Sequence, residues 1–158
     1  MMPTEPTRYP KFSAKVRAVR LVGILFPILL VCLSTFAFAA EMEIIANPKG
    51  ATEYLDASTL RGIFGMRLSR WPDGTPIRVY VLPDDNPVHA KFTKRILNTY
   101  PHQLRRNWDR LVFSGTGNAP IQVESEQEML DRIRTIPGSI GYMESGKESA
   151  NVRVIKIQ

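Results

Sequence analysis

The chain has 158 residues, with 21 lysines and arginines against 15 aspartates and glutamates, a formal net charge of +6. Residues 1–39 hold five of the basic side chains and only one acid, Glu5, so residues 40–158 carry 16 against 14, a net of +2. That size suits one domain with its own core. With the charge near balance over 40–158, nucleic-acid binding, which needs a concentrated basic footprint, loses its main support.

Arg8, Lys11, Lys15, Arg17 and Arg20 precede a charge-free apolar run, Leu21 to Phe36, and Ala37-Phe38-Ala39 supplies small residues before Glu41. This three-part order predicts a secretory signal over 1–39 and an exported domain over 40–158. The run is also about long enough to persist as a membrane anchor, but the small-residue site favours cleavage. The single cysteine, Cys32, lies inside the run. Its removal with the signal leaves no disulfide, thiol nucleophile or thiolate ligand.

In the exported part, Glu43 to Ala46 reads as a first strand, broken by Asn47-Pro48-Lys49-Gly50. Asp56 or Ser58 caps a helix that carries Leu60, Ile63 and Phe64 on one side, and Gly65 stops it. Trp71-Pro72-Asp73-Gly74-Thr75-Pro76 is turn chemistry, with Trp71 covering an edge of the core. Ile77 to Leu82 has the β-branched character of a buried strand.

Pro87 suits the first position of a helix capped by Asn86 or Asp85, with Val88, Phe92, Ile96 and Leu97 inward. Tyr100-Pro101 restarts the chain into another helix. It places Leu104, Trp108, Leu111 and Val112 inward and Arg105, Arg106, Asp109 and Arg110 outward. Ser114 to Pro120 is a loop, and Ile121 to Val123 a short strand. Ser125-Glu126-Gln127-Glu128 is a capping box before Met129, Ile133 and Ile136. Pro137-Gly138 turns into a small-residue strand, Ser139 to Met143, and Val152 to Ile157 alternates as the last strand. Interleaved strands and helices predict an α/β domain with a mixed or mainly parallel sheet.

Few residues suggest chemistry. No serine stands in a Gly-x-Ser-x-Gly context. The two histidines, His89 and His102, have no further ligand at zinc spacing and read as surface residues. The acids at Asp84-Asp85 and Glu124/Glu126/Glu128 sit where loop and first-turn acids are ordinarily solvated. No catalytic residue, metal site or cofactor is expected. The start of the helix at Asn86, with Asp84, Val88 and His89, is the best candidate binding site, because a helix N-terminus offers free N–H groups. The alternative is that Asp84 to Pro87 only caps the helix. Ser114-Gly115-Thr116-Gly117 is either a backbone anion cradle or a plain connection. Lys91, Lys94, Arg95, Arg105, Arg106 and Arg110 form a basic face, solvated or turned to an acidic partner.

Several motifs stand in one order: Leu60 to Phe64, Trp71 to Gly74, Leu82-Pro83, Phe92, Trp108 to Gly115, and Pro137-Gly138-Ser139-Ile140-Gly141-Tyr142. With them the chain resembles short single-domain relatives of phosphate ABC transporter substrate-binding proteins, from about 44 to 157. The resemblance implies a single periplasmic-binding-protein-like lobe, a periplasmic location, and either a small anionic or polar ligand or a membrane transporter or envelope protein as partner. In that family the loop after the strand reads Arg-x-Asp-x-Ser-Gly-Thr and clamps the anion. Here Leu82 stands for the arginine, Asp84 for the aspartate, and Asn86, Pro87 and Val88 for Ser-Gly-Thr. Only the aspartate is kept. By resemblance, Ser114 to Gly117 shares a rim with this loop.

Two functions follow: a non-enzymatic solute-binding-like protein using the Asp84 to His89 loop, or a ligand-free interaction module beside an envelope complex. Under the first, alanine at Asp84 or His89 is expected to weaken binding and spare the fold.

Overall fold

A computed structural model of the chain describes residues 41–147 and 150–158; the expected signal over 1–39, with Cys32, lies outside the described residues. Six strands form one sheet: β1 (Met42–Ala46), β2 (Tyr54–Leu55), β3 (Arg78–Val81), β4 (Ile121–Gln122), β5 (Ser139–Glu144) and β6 (Arg153–Ile157). Among the described residues, four helices flank it: α1 (Ala57–Phe64), α2 (Pro87–Arg95), α3 (Pro101–Phe113) and α4 (Glu126–Thr135). The strand order is β2-β6-β1-β5-β3-β4. β1 runs antiparallel to both β5 and β6, while β3 is parallel to β4 and β5, and β2 to β6. The sheet is therefore mixed, within the expected α/β class. The two-residue β2 is an addition that no local pattern marks.

The caps fall where the side chains dictate. Asp56 accepts the N–H of Thr59 at the start of α1, and Asn86 accepts that of Val88 at the start of α2. Ser125 accepts the N–H of Glu128. The return contact of Glu128 goes to the N–H of Glu124 rather than to Ser125, one residue beyond the expected box. The last turn of α3 runs past the core, so Val112, expected inward, is exposed and Leu111 only half-buried.

Successive residues of β5 serve opposite layers. Gly141 lies under α4, where a Cβ would collide with the Met129 sulfur and the end of Ile133. Tyr142 points to the other layer, stacked on Phe92 at 3.8 Å between centroids, with Phe64 at 6.0 Å. Gly138 has φ +75°, and a side chain there would strike the Pro76 carbonyl. Its own carbonyl accepts the Trp71 indole N–H at 2.9 Å, which fixes the Trp-Pro-Asp-Gly turn to the start of β5. Trp71 is buried, as its place at the core edge predicts. No described helix is long and apolar enough to cross a membrane.

Candidate functional site

The strand-to-helix passage from β3 to α2 is a tight turn. Asn86 N–H bonds to the Pro83 carbonyl, and the Asn86 side chain takes the Val88 N–H at 2.9 Å. Pro87 has no N–H. Much of the expected amide supply at this helix start is thus absent or used within the chain, and Asn86 acts as a cap.

Asp84 is the polar centre of the loop. Its carboxylate accepts two hydrogen bonds from Arg105 of α3, Nε to Oδ2 at 3.1 Å and Nη2 to Oδ1 at 3.0 Å. The same Nη2 reaches Gln122 Oε1 of β4 at 3.3 Å. Arg105 also lies over the Trp108 ring, 5.2 Å from its centroid. Arg105 therefore does not belong to a solvated face, as its helical position suggested. A fork-to-fork pair fixes both partners in one geometry, and hydrogen bonding to Asp84 raises the guanidinium pKa further.

His89 differs most from expectation. It is not a surface residue: its exposure is 0%. It sits in the first turn of α2, between Tyr142 and Trp108, with ring centroids 5.8 and 6.4 Å away. The Tyr142 hydroxyl accepts the Leu82 N–H at 2.9 Å and lies 2.5 Å from His89 Nδ1. A phenol has one proton to donate. The phenol oxygen takes part in two hydrogen bonds, one from the Leu82 N–H and one shared with His89 Nδ1. Nε2 has no hydrogen-bond partner, and it lies 3.8 Å from Asp84 Oδ1. Burial is the main force that lowers the His89 pKa to about 4; Asp84 opposes this and Arg105 adds to it. Burial likewise raises the Tyr142 phenol above its ordinary range. The spacing held a signal for this burial. His89, Phe92, Thr93, Ile96 and Leu97 follow the i, i+3, i+4, i+7, i+8 pattern of one helix face. His102, by contrast, is exposed and stacks on Tyr100.

The second expected segment is not an anion cradle. The N–H groups of Ser114, Gly115, Thr116 and Gly117 bond to the carbonyls of Arg110, Val112, Leu111 and Leu111. The Ser114 and Thr116 hydroxyls bond to each other at 2.8 Å and reach the Leu111 carbonyl. The segment closes the C-terminal end of α3, where partial charge is negative. It does not share the Asp84 rim either: Thr116 and Gly117 line a groove with Arg78 and Val79 at the opposite end of β3 from the Asp84 loop. The expected basic face is also divided. Lys91 pairs with Glu144, Arg105 with Asp84, and Lys94 lies over the Tyr100 ring. No group of three or more candidate metal ligands occurs among the described residues.

Comparison with known proteins supplies the frame for this geometry. No family model and no curated protein matches the chain. Solved structures do. An ABC-type phosphate transport receptor from Vibrio cholerae superposes with a TM-score of 0.58 at 13% identity, over 75% of this chain and 46% of the receptor. PstS from Borrelia burgdorferi gives 0.59 at 14%, over 75% and 47%. A structure from Clostridium perfringens described as a phosphate ABC transporter substrate-binding protein, with bound phosphate, gives 0.60 at 14%, over 75% and 45%. The chain shares its mixed α/β fold with part of these receptors. The chain spans less than half the length of these receptors. At such identity the likeness concerns the fold alone, and the site has to be judged on its own residues.

Proposed function

We propose that this chain works by binding rather than by catalysis, as a periplasmic protein of solute-binding type, and that phosphate is not its ligand at the Asp84 to His89 loop. One observation carries the second half. Asp84 already holds the fork of Arg105 with both oxygens. The charge that a phosphate clamp would need is neutralised within the protein. The rest of the loop adds little: Pro87 has no N–H, that of Val88 is taken by Asn86, and Leu82 and Val88 have no polar side-chain group. Isothermal titration is expected to show no phosphate binding tighter than about 10 μM, roughly −7 kcal/mol. A sub-micromolar constant would overturn this reading.

The absence of a nucleophile elbow and the likeness to receptors support a non-enzymatic role. Export is supported by the basic stretch, the apolar run and the small-residue site before Glu41. Intact-mass measurement on the protein from the cell envelope is expected to find an N-terminus near Ala40 or Glu41. Retention of residues 1–39 in the membrane fraction would refute cleavage. A second function, an interaction module beside an envelope complex, is favoured by the self-satisfied state of the loop: a lobe that closes its ligand loop with its own arginine keeps only its outer surface for recognition.

A further inference from the structure

Away from the Asp84 loop, the chain has a groove of about 570 Å³ between the segment after α1, the start of β3 and the loop before β4. Three of its lining side chains are Arg67, Arg70 and Arg78, and none is an aspartate or glutamate. No carboxylate pairs with any of the three among the described residues. Most other arginines of this domain have a visible reason for their place. Arg105 holds Asp84, and Arg132 and Arg134 pair along α4. Arg61 and Arg110 lie in the last turns of α1 and α3, where a cation offsets the helix dipole. The arginines of the groove have no such account, apart from one bond from Arg70 to the Gly74 carbonyl at 2.9 Å.

The backbone beneath them is fixed. Met66, Arg67 and Leu68 donate their N–H groups to Ile63 and Gly62 of α1, with Met66 held at φ 59°. Ser69 and Ile77 are bonded across the Trp71–Gly74 turn, where Arg70 and Pro76 form a bridge. Arg78 opens β3 and donates its N–H to Gly138. The fold thus places three arginines around one groove that has no acid in its lining, and an anionic partner would be attracted there. Leu68 and Ile121, 43% and 44% exposed, line the same groove. Arginine is enriched at protein-recognition surfaces, and the two exposed aliphatic side chains add apolar area that a partner would cover.

We infer that this groove docks an extended acidic segment of a partner protein. A lone inorganic oxyanion would fill a small part of the volume and leave Leu68 and Ile121 uncovered. A bilayer is flat, whereas these arginines line a concavity. Arg67 also lines a second groove of about 400 Å³ beside Arg61 and Arg110, again with no acid in its lining. The positive surface therefore continues past the first groove, as an extended chain would need. The inference does not depend on the Asp84 loop, so phosphate binding at that loop would leave it intact.

The test is fluorescence anisotropy of a labelled glutamate-rich peptide against the purified protein at low salt. Arg67→Glu is expected to weaken binding at least about tenfold, and the double variant Arg70→Glu/Arg78→Glu at least as much, by replacing attraction with repulsion. Arg106→Glu makes the same change in net charge outside both grooves and is expected to alter binding less than about twofold. Melting temperatures of all variants are to be measured in parallel, and folded Arg67→Glu protein is the required substrate. Equal losses in Arg67→Glu and Arg106→Glu would overturn the proposal in favour of unspecific charge attraction. So would pyrophosphate binding as tightly as the peptide, or binding to phosphatidylglycerol vesicles in place of the peptide.

Discussion

Replacing Trp108 by alanine is expected to destabilise the fold by about 3–5 kcal/mol, the range for large aromatic truncations in cores. Trp108 is 1% exposed, and its indole N–H donates to the Phe64 carbonyl at 2.7 Å. That bond ties α3 to the last residue of α1. The variant loses the ring, leaves a buried carbonyl without its donor, and removes the surface on which Arg105 rests. Chemical denaturation is the measurement: the midpoint should fall with little change in slope. A loss under about 1 kcal/mol would mean that α3 does not pack as described. Trp108→Phe keeps a smaller aromatic ring and loses the N–H, and should show part of the loss.

The second large effect is an acid transition centred on His89. Its folded pKa is about 4 against an ordinary 6.5, because burial penalises the imidazolium. Between those values the unfolded chain binds a proton that the folded one does not. Stability is therefore full above pH 6.5, falls as pH drops through the window, and levels off below about pH 4. The loss amounts to at most about 3 kcal/mol. The carboxylates held below their ordinary range, Asp56, Glu128 and Glu144, have folded pKa values below their unfolded ones. Their contributions are present at higher pH and are lost only as pH falls below the ordinary carboxylate range, so the two limbs are separable. Stability measured from pH 7 to pH 4.5 should decline in the native protein and stay nearly flat in His89→Gln. An equal slope in both would show that His89 is solvated and would undo its placement beside Tyr142. The same burial corrects the expectation that alanine at His89 spares the fold: it leaves a cavity and removes a partner of the Tyr142 hydroxyl. Asp84, over a third exposed, remains the position where such a variant is expected to fold normally.

Much of the architecture was legible because its determinants are local. Asn86 before Pro87, Ser125 three residues before Glu128, and Gly65 after Phe64 mark helix ends by short-range hydrogen bonding, and each marks an end here. The apolar runs at Glu43–Ala46 and Ile77–Leu82 fell on strands for the same reason. What failed involved distance along the chain. Asp84 was read without an arginine because position 82 holds leucine; its arginine lies 21 residues on, in another helix. Ser114 to Gly117 looked like a cradle because glycine clusters permit one, yet a helix end with orphan carbonyls preceded it. Arg67, Arg70 and Arg78 lie within one short stretch around a turn, and nothing in that stretch showed that they would line one groove.

Apart from what the family resemblance implied for the clamp positions, the sequence by itself determined the helix caps, the longer strands and most of the apolar faces. These depend on contacts within a few residues. The tertiary structure alone decided how the remaining polar groups are satisfied. It set Arg105 on Asp84, sealed His89 beneath Tyr142, used the Ser114 to Gly117 amides to close α3, and gathered three arginines in one groove. Charge and burial depend on neighbours in space, and the neighbours of each of these groups come from other elements of the fold.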